Sequence, residues 1–315
     1  MQSRIIKNPA KIAVLMAVYN GERFLQQQVD SLSSQGVPSI DVWVSDDGSS
    51  DGSRKILKSC SDSWSKGTFR VADGPQTGFS DNFRSLMSNT EIQADYYAFC
   101  DQDDLWDSDK LQVALSQLAS LGRDMPALYC GRTRIVDECG RHVGYSPLFD
   151  RQPNFRNAIV QSIAGGNTMV ANRAAWQLLA ESARRTDFVS HDWWCYILVA
   201  GAGGRVVYDP QAHISYRQHS GNLVGDNMSL RSRIDRVNRL FKGQFVSWGD
   251  RNLSSLQQCI DLLSDDAKAT VEEFRSFRAE KSIIRRLRGL LSSGIYRQSL
   301  QGNLGLFAAT LFQKL

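Results

Sequence analysis

The chain has 315 residues, 42% of them hydrophobic and 22% charged, and a net charge of +4. That length suffices for one sizeable core or two smaller ones, and the composition is that of an ordinary globular protein. Disordered, collagen-like and coiled-coil chains are excluded.

In chain order, Ile12–Val18 is a continuous apolar run, which predicts a strand buried on both faces. Tyr19-Asn20-Gly21 signals a turn, with Asn20 placed to cap a helix carrying Phe24, Leu25, Val29 and Leu32. Ile40, Val42 and Val44 predict a second strand, which stops at Asp46-Asp47-Gly48-Ser49-Ser50-Asp51-Gly52. A helix around Ser53–Lys58, a short strand at Phe69–Ala72 and a helix at Phe79–Leu86 follow. Tyr96–Cys100 is a third central strand, again running into acidic residues. Leu111, Ala114, Leu115, Leu118 and Leu121 share one helix face. Ala127–Val136 predicts a strand, Gly165–Val170 a glycine-rich turn entering a strand, and Trp176–Ala183 a helix. This alternation argues for an α/β fold with a mostly parallel sheet flanked by helices, its ligands at the carboxyl ends of the strands.

Past about residue 228 strand signals thin out. Residues 1–228 are expected to form the catalytic domain and 229–315 a basic helical region. Residues 1–230 hold 22 basic and 25 acidic side chains, whereas Arg231–Leu315 hold 15 basic and 8 acidic. That basic segment suits either a solvated helix face or an anionic lipid surface. Near its end Arg285, Arg286 and Arg288 lie beside Leu287, Leu290 and Leu291, and Leu304, Phe307 and Leu311 recur at helical spacing. This fits an interfacial helix or a cap packed on the rest of the chain.

Six cysteines, Cys60, Cys100, Cys130, Cys139, Cys195 and Cys259, show no C-x-x-C pair and no zinc or disulfide spacing. The first ten residues lack a signal-peptide core, and no apolar run approaches the ~20 residues of a membrane span. The expected location is cytoplasmic, with peripheral contact at the cytoplasmic face of the inner membrane. No nucleic-acid partner is expected.

Four constellations carry chemistry. In Asp101-Gln102-Asp103, carboxylates two residues apart in extended backbone point to one side and suit a hard cation, Mg2+ or Mn2+, held directly or through water. The plainer reading is a surface turn in which Asp104 or Asp107 caps the next helix. Asp46-Asp47-Gly48, at a strand end, suits a ribose or base, or is turn chemistry alone. In His191-Asp192-Trp193-Trp194 an aspartate opens an apolar segment, as a general base or as a helix cap. Tyr216-Arg217-Gln218-His219 brings a guanidinium and an imidazole toward phosphate or metal. No G-x-x-x-x-G-K-[ST], no G-x-G-x-x-G after the first strand, no H-E-x-x-H and no G-x-S-x-G is present.

In this order, the stretches Val14–Glu22, Val44–Asp51, Gly78–Phe83, Asp101–Trp106, Gly165–Thr168, His191–Trp194 and Tyr216–His219 resemble the family 2 glycosyltransferases, over about residues 11–225. The resemblance is nearest to a bacterial rhamnosyltransferase-like subgroup. It implies a GT-A fold, here followed by the C-terminal helical extension read from the pattern, and transfer of a sugar from a nucleotide-diphosphate donor to a saccharide acceptor in polysaccharide assembly, an acceptor that is lipid-linked where the C-terminal helices bring the enzyme to a membrane. It implies that Asp47, with Asp46, holds the nucleoside beside Tyr19 and Glu22. Asp103 would bind the metal and Asp101 the ribose or the metal's water, with His219 assisting. Asp192 would be the base of a single inverting displacement, and Arg217, Trp193 and Asn167 would face diphosphate or acceptor. His191 departs from the glutamate that many members carry there. Two other readings are a sugar-nucleotide pyrophosphorylase, disfavoured by the acidic Tyr19-Asn20-Gly21-Glu22 loop, and a non-catalytic binding protein, disfavoured by the intact Asp101, Asp103 and Asp192.

Overall fold

The computed structural model describes residues 10–219 and 244–315. Strand β1 (Ile12–Val18) alternates cleanly between two cores. Ala13 and Leu15 enter one apolar cluster, and Ile12, Val14, Met16 and Val18 enter the other. A strand apolar on both pleat faces requires cover on both sides, and helices supply it. Around it lie α1 (Leu25–Ser33), β2 (Ile40–Asp46), α2 (Ser53–Ser63), β3 (Phe69–Asp73), α3 (Phe79–Ser88) and β4 (Tyr96–Cys100). β1 pairs in parallel with β2, Val18 opposite Asp46, and with β4, Met16 opposite Cys100. The three strands therefore end at one edge.

Next come β5 (Leu105–Trp106), α4 (Lys110–Ala119), β6 (Ala127–Val136), β7 (His142–Tyr145), α5 (Phe155–Ala158), β8 (Val170–Asn172), α6 (Arg173–Arg185), α7 (His191–Gly201) and β9 (Arg205–Arg217). The strand order is β3-β2-β1-β4-β8-β6-β9-β5, with β7 on β6. The half from β3 to β4 is all parallel, as predicted. Beyond it β8 runs antiparallel between β4 and β6, while β6 and β9 are parallel. Chain order reverses at β1, with β2 and β3 to one side and β4 to the other. Such a switch point opens a crevice at the carboxyl ends of the strands.

Several local expectations are corrected. Asn20 does not cap α1. It adopts φ 48°, and Phe24 stands at the N-cap. Neither Asp104 nor Asp107 caps α4, whose N-cap is Asp109. Arg217 closes a 13-residue strand that no sequence signal announced. Pro210 disguises that strand, because its ladder with β6 jumps from Asp209 to Ala212, and a proline fits where pairing is interrupted. β5 and β7, of two and four residues, are too short to show a period.

After residue 244 the described chain is helical, with α8 (Gln244–Gln258), α9 (Asp265–Ala279), α10 (Ile283–Ser293) and α11 (Leu300–Leu311). The expected boundary near residue 228 lies outside the described residues. Leu256, Cys259, Val271, Phe274 and Phe277 join the same apolar cluster as Trp194 and Tyr196 of α7, so these helices share a core with the sheet. All six cysteines are free. Among the described residues no helix is long and apolar enough to cross a membrane.

Candidate active site

Three loops leave the parallel edge: residues 19–24 after β1, 47–52 after β2 and 101–104 after β4. Backbone–side-chain hydrogen bonds tie them together. Asn20 donates its N–H to Ser49 Oγ (2.9 Å), and its Oδ1 accepts from the Ser50 N–H (2.8 Å). Glu22 accepts from the Gly52 N–H (2.9 Å) while its own N–H donates to Asp51 (3.0 Å). Gln102 spans from the acidic loop to the first loop. Its Oε1 accepts from the Tyr19 N–H (2.8 Å) and its Nε2 donates to the Tyr19 carbonyl (3.0 Å).

The Asp46-Asp47 pair is well supplied with donors. Asp46, 1% exposed, accepts from the Ser49 N–H and hydroxyl and from Arg54 Nε. Asp47 accepts from the N–H groups of Gln76 (2.6 Å) and Gly78 (2.9 Å), which fixes the loop between β3 and α3. Gly48 makes the turn at φ 88°, a conformation that favours glycine. Of the residues expected around the nucleoside, Tyr19 and Glu22 are exposed, Tyr19 at 58%. Glu22 and Asp46 hold the loop walls.

The loop after β4 is different. No described residue donates a hydrogen bond to the Asp101 carboxylate. Burial, then the charges of Asp103 and Asp192, raise it to about 7. Asp103 Oδ2 lies 2.8 Å from His219 Nε2, so the structure brings that expected pair together. Asp104, read from the sequence only as a candidate helix cap, is fully buried. It accepts from the Arg217 N–H (3.3 Å) and the Asn167 side-chain amide. Its burial, with Asp103 and Asp101 nearby, drives it well above the carboxylate range.

Arg217 does not present its guanidinium to a ligand in this structure. At 2% exposed, it donates to the carbonyls of Asp103 (3.1 Å) and Glu138 (2.8 Å) and to Gln27 (2.8 Å), over the Phe24 ring. Asn167 is likewise buried on Asp104. Both residues support the acidic loop from behind, because β9 and the Gly166–Thr168 turn pass beneath it.

Asp192 occupies the first turn of α7, where free backbone N–H groups favour a carboxylate, and it accepts from the Trp193 N–H (2.7 Å). The adjacent His191 is buried and stacked on Phe83 at 3.8 Å, and burial pulls it down to about 4, so it is neutral. Neither of its ring nitrogens meets a hydrogen-bond partner among the described residues. A Cβ at Gly166 would collide with its Nε2. Trp193 donates to the Ala158 carbonyl (2.7 Å), and its ring lies 6.4 Å from Trp248 of α8, which in turn contacts Phe245. Trp248 and Phe245 belong to no motif, and only the fold reveals them beside α7.

The donor set at Asp101 and Asp103 suits a divalent cation. It offers hard oxygen ligands, and at Asp101 burial first, then the neighbouring carboxylate charges, raise the carboxyl against ionisation. Among the described residues the three potential ligands whose atoms lie within 4.8 Å of one another are others, Asp107, Asp109 and His213. There Asp107 already forms a two-pronged ion pair with Arg134 (3.1 Å each), which neutralises it.

Residues 13–179, just over half of the chain, match the family model described as glycosyl transferase family 2. Over 233 residues the chain is 26% identical to dTDP-rhamnosyl transferase RfbG of Shigella flexneri, covering 70% of this chain and 78% of that protein. Among solved structures it resembles S. aureus TarS 1-349 in complex with UDP-GlcNAc. The TM-score is 0.54 at 15% identity, over 96% of this chain and 88% of that one. It also resembles the mannosyltransferase PcManGT from Pyrobaculum calidifontis in complex with GDP-Man and Mn2+. There the TM-score is 0.51 at 14% identity, over 98% and 86%. These two likenesses concern the fold, which is GT-A. The chain belongs to glycosyl transferase family 2 and is a nucleotide-sugar glycosyltransferase.

Proposed function

We propose that the chain transfers a sugar, with rhamnose on a thymidine diphosphate as the leading donor, to a saccharide hydroxyl in bacterial cell-surface polysaccharide assembly, with inversion at the anomeric carbon. The observation that carries the mechanism is the acidic loop after β4, where Asp103 pairs with His219 at 2.8 Å and the buried Asp101 feels the charges of Asp103 and of Asp192 on α7. The donor identity draws on the relative from Shigella flexneri, whose name is that of a dTDP-rhamnosyl transferase.

In this reading Asp47 and Tyr19 receive the nucleoside, within walls that Glu22 and Asp46 hold in place. Asp103, Asp101 and His219 would hold Mg2+ or Mn2+, which neutralises charge on the donor's diphosphate. Asp192 takes the proton of the acceptor hydroxyl as its oxygen bonds to the anomeric carbon and the bond to the diphosphate oxygen breaks. Arg217 and Asn167 act as positioning residues, through the Asp103 carbonyl and Asp104. Trp193, extended by Trp248, forms an apolar wall for the acceptor ring.

The test is a thermal-shift screen of nucleoside diphosphates with and without Mn2+, on the native chain and Asp103→Ala, followed by dTDP-rhamnose turnover. Stabilisation by thymidine diphosphate that requires Mn2+ and Asp103 is expected. A folded chain that no nucleotide stabilises would defeat the reading. A preference for another base would remove thymidine and leave the chemistry standing.

A further inference from the structure

Of the fourteen large hydrophobic side chains exposed on the described surface, seven fall within residues 283–312, on the last two helices and their ends. On α10, Ile284, Arg288 and Leu291 recur at i, i+4 and i+7, all exposed, with Ile284 at 64% and Leu291 at 73%. On α11, Leu300, Leu304 and Phe307 repeat that spacing, at 78%, 64% and 41%. Each helix also has a buried side, with Leu290 on α10 and Leu306 and Ala309 on α11 in the common core. The outer stripes are therefore left over after packing is complete. Exposed apolar area of this kind marks an interaction surface.

Charge identifies the occupant. From Lys281 to Leu315 there are six basic residues and no acidic one. Arg286 is the exception among the six. It is 3% exposed and donates to the carbonyls of Glu280, Thr310 and Leu311, stapling α10 to the end of α11. The sequence pattern placed Arg286 and Leu290 on an interfacial face, whereas both point inward. Arg285 and Arg288 remain exposed, flanked by Ile283, Ile284 and Leu291.

We propose that the outer stripes of α10 and α11 form a surface that docks on an anionic lipid bilayer. Apolar residues enter the headgroup boundary, and arginines meet lipid phosphates while their stems lie along the apolar layer. A second copy of the chain is a poorer occupant. A two-fold contact would bring this net-basic patch, whose nearest acid is Glu280 at 3.8 Å from Arg285, against itself and place like charges together. The surface is independent of the donor and acceptor chemistry proposed above, so it stands or falls separately.

The experiment is co-sedimentation of the full chain with vesicles of phosphatidylethanolamine containing one-third phosphatidylglycerol, and with pure phosphatidylcholine, at low and high salt. Binding to the anionic vesicles at low salt is expected, weakened by salt and absent from phosphatidylcholine. Arg285→Glu with Arg288→Glu lowers partitioning by about fivefold or more per position. Leu291→Gln with Leu304→Gln lowers it without changing the thermal unfolding temperature, since both side chains are outside the core. A native chain that stays in the supernatant overturns the proposal. So does binding that ignores both double variants, or a native dimer that the leucine variant converts to monomer.

Discussion

Two aspartate pairs close β2 and β4, the strands on either side of β1, and in sequence they look alike. Asp46-Asp47, after β2, is filled with donors: Ser49, Arg54, Gln76 and Gly78 all reach its carboxylates. After β4, burial and then the charges of Asp103 and Asp192 raise Asp101 to about 7. The first pair builds a wall. In the second, Asp103 has His219 beside it and Asp101 receives no hydrogen bond from a described residue, which is the condition a cation can exploit. A carboxylate's donors, more than its position in a motif, decide whether it is scaffold or reagent.

Substitutions can break or sharpen that contrast. Asp192→Asn should lower kcat about a thousandfold with an unchanged donor KM, because it removes a base and leaves the shape. Retained turnover would move the base elsewhere. Asp103→Ala should lower kcat/KM about a hundredfold and abolish Mn2+-dependent nucleotide binding, read by calorimetry. Asp46→Ala, by contrast, should act on stability, costing about 2 kcal/mol in urea unfolding as it strands the Ser49 N–H and Arg54. Full stability with lost turnover in that variant would erase the division between the pairs.

Acidity supplies a subtler probe. The folded pKa of Asp101 lies above that of an unfolded aspartate, so the ion-free fold takes up a proton and loses stability as pH rises from about 4 to about 7. A bound cation competes for the same carboxylate. Mn2+ affinity in the presence of nucleoside diphosphate should therefore climb up to tenfold per pH unit below about 7 and then level off. The smallest effect is expected from Gln102→Ala, about 1 kcal/mol of stability and a few-fold rise in donor KM, since it frees Tyr19 from the acidic loop.

The parallel half of the sheet was legible because β1, β2 and β4 are apolar enough to demand cover on both faces. Asp103 and His219 were legible as neighbours because the resemblance supplied their order, and the two meet. Strand β9 was hidden by Pro210. Asp104 looked like a helix cap because a buried carboxylate and an exposed one have the same letter. Its state depends on Asn167 and Arg217, 63 and 113 residues away. Trp248 and Phe245 had no local signal, since only packing of α8 against α7 brings them to Trp193.

The contact between Gly166 and His191 carries a consequence for inheritance. Any side chain at position 166 would strike the imidazole, and the imidazole sits at the start of the helix that carries Asp192. The two positions cannot drift independently. A lineage can enlarge residue 166 only after residue 191 has shrunk, and in the interval the ring's place against Phe83 stands empty. Variation at one of these sites should therefore track variation at the other, and swapping either alone between relatives should fail where exchanging both succeeds.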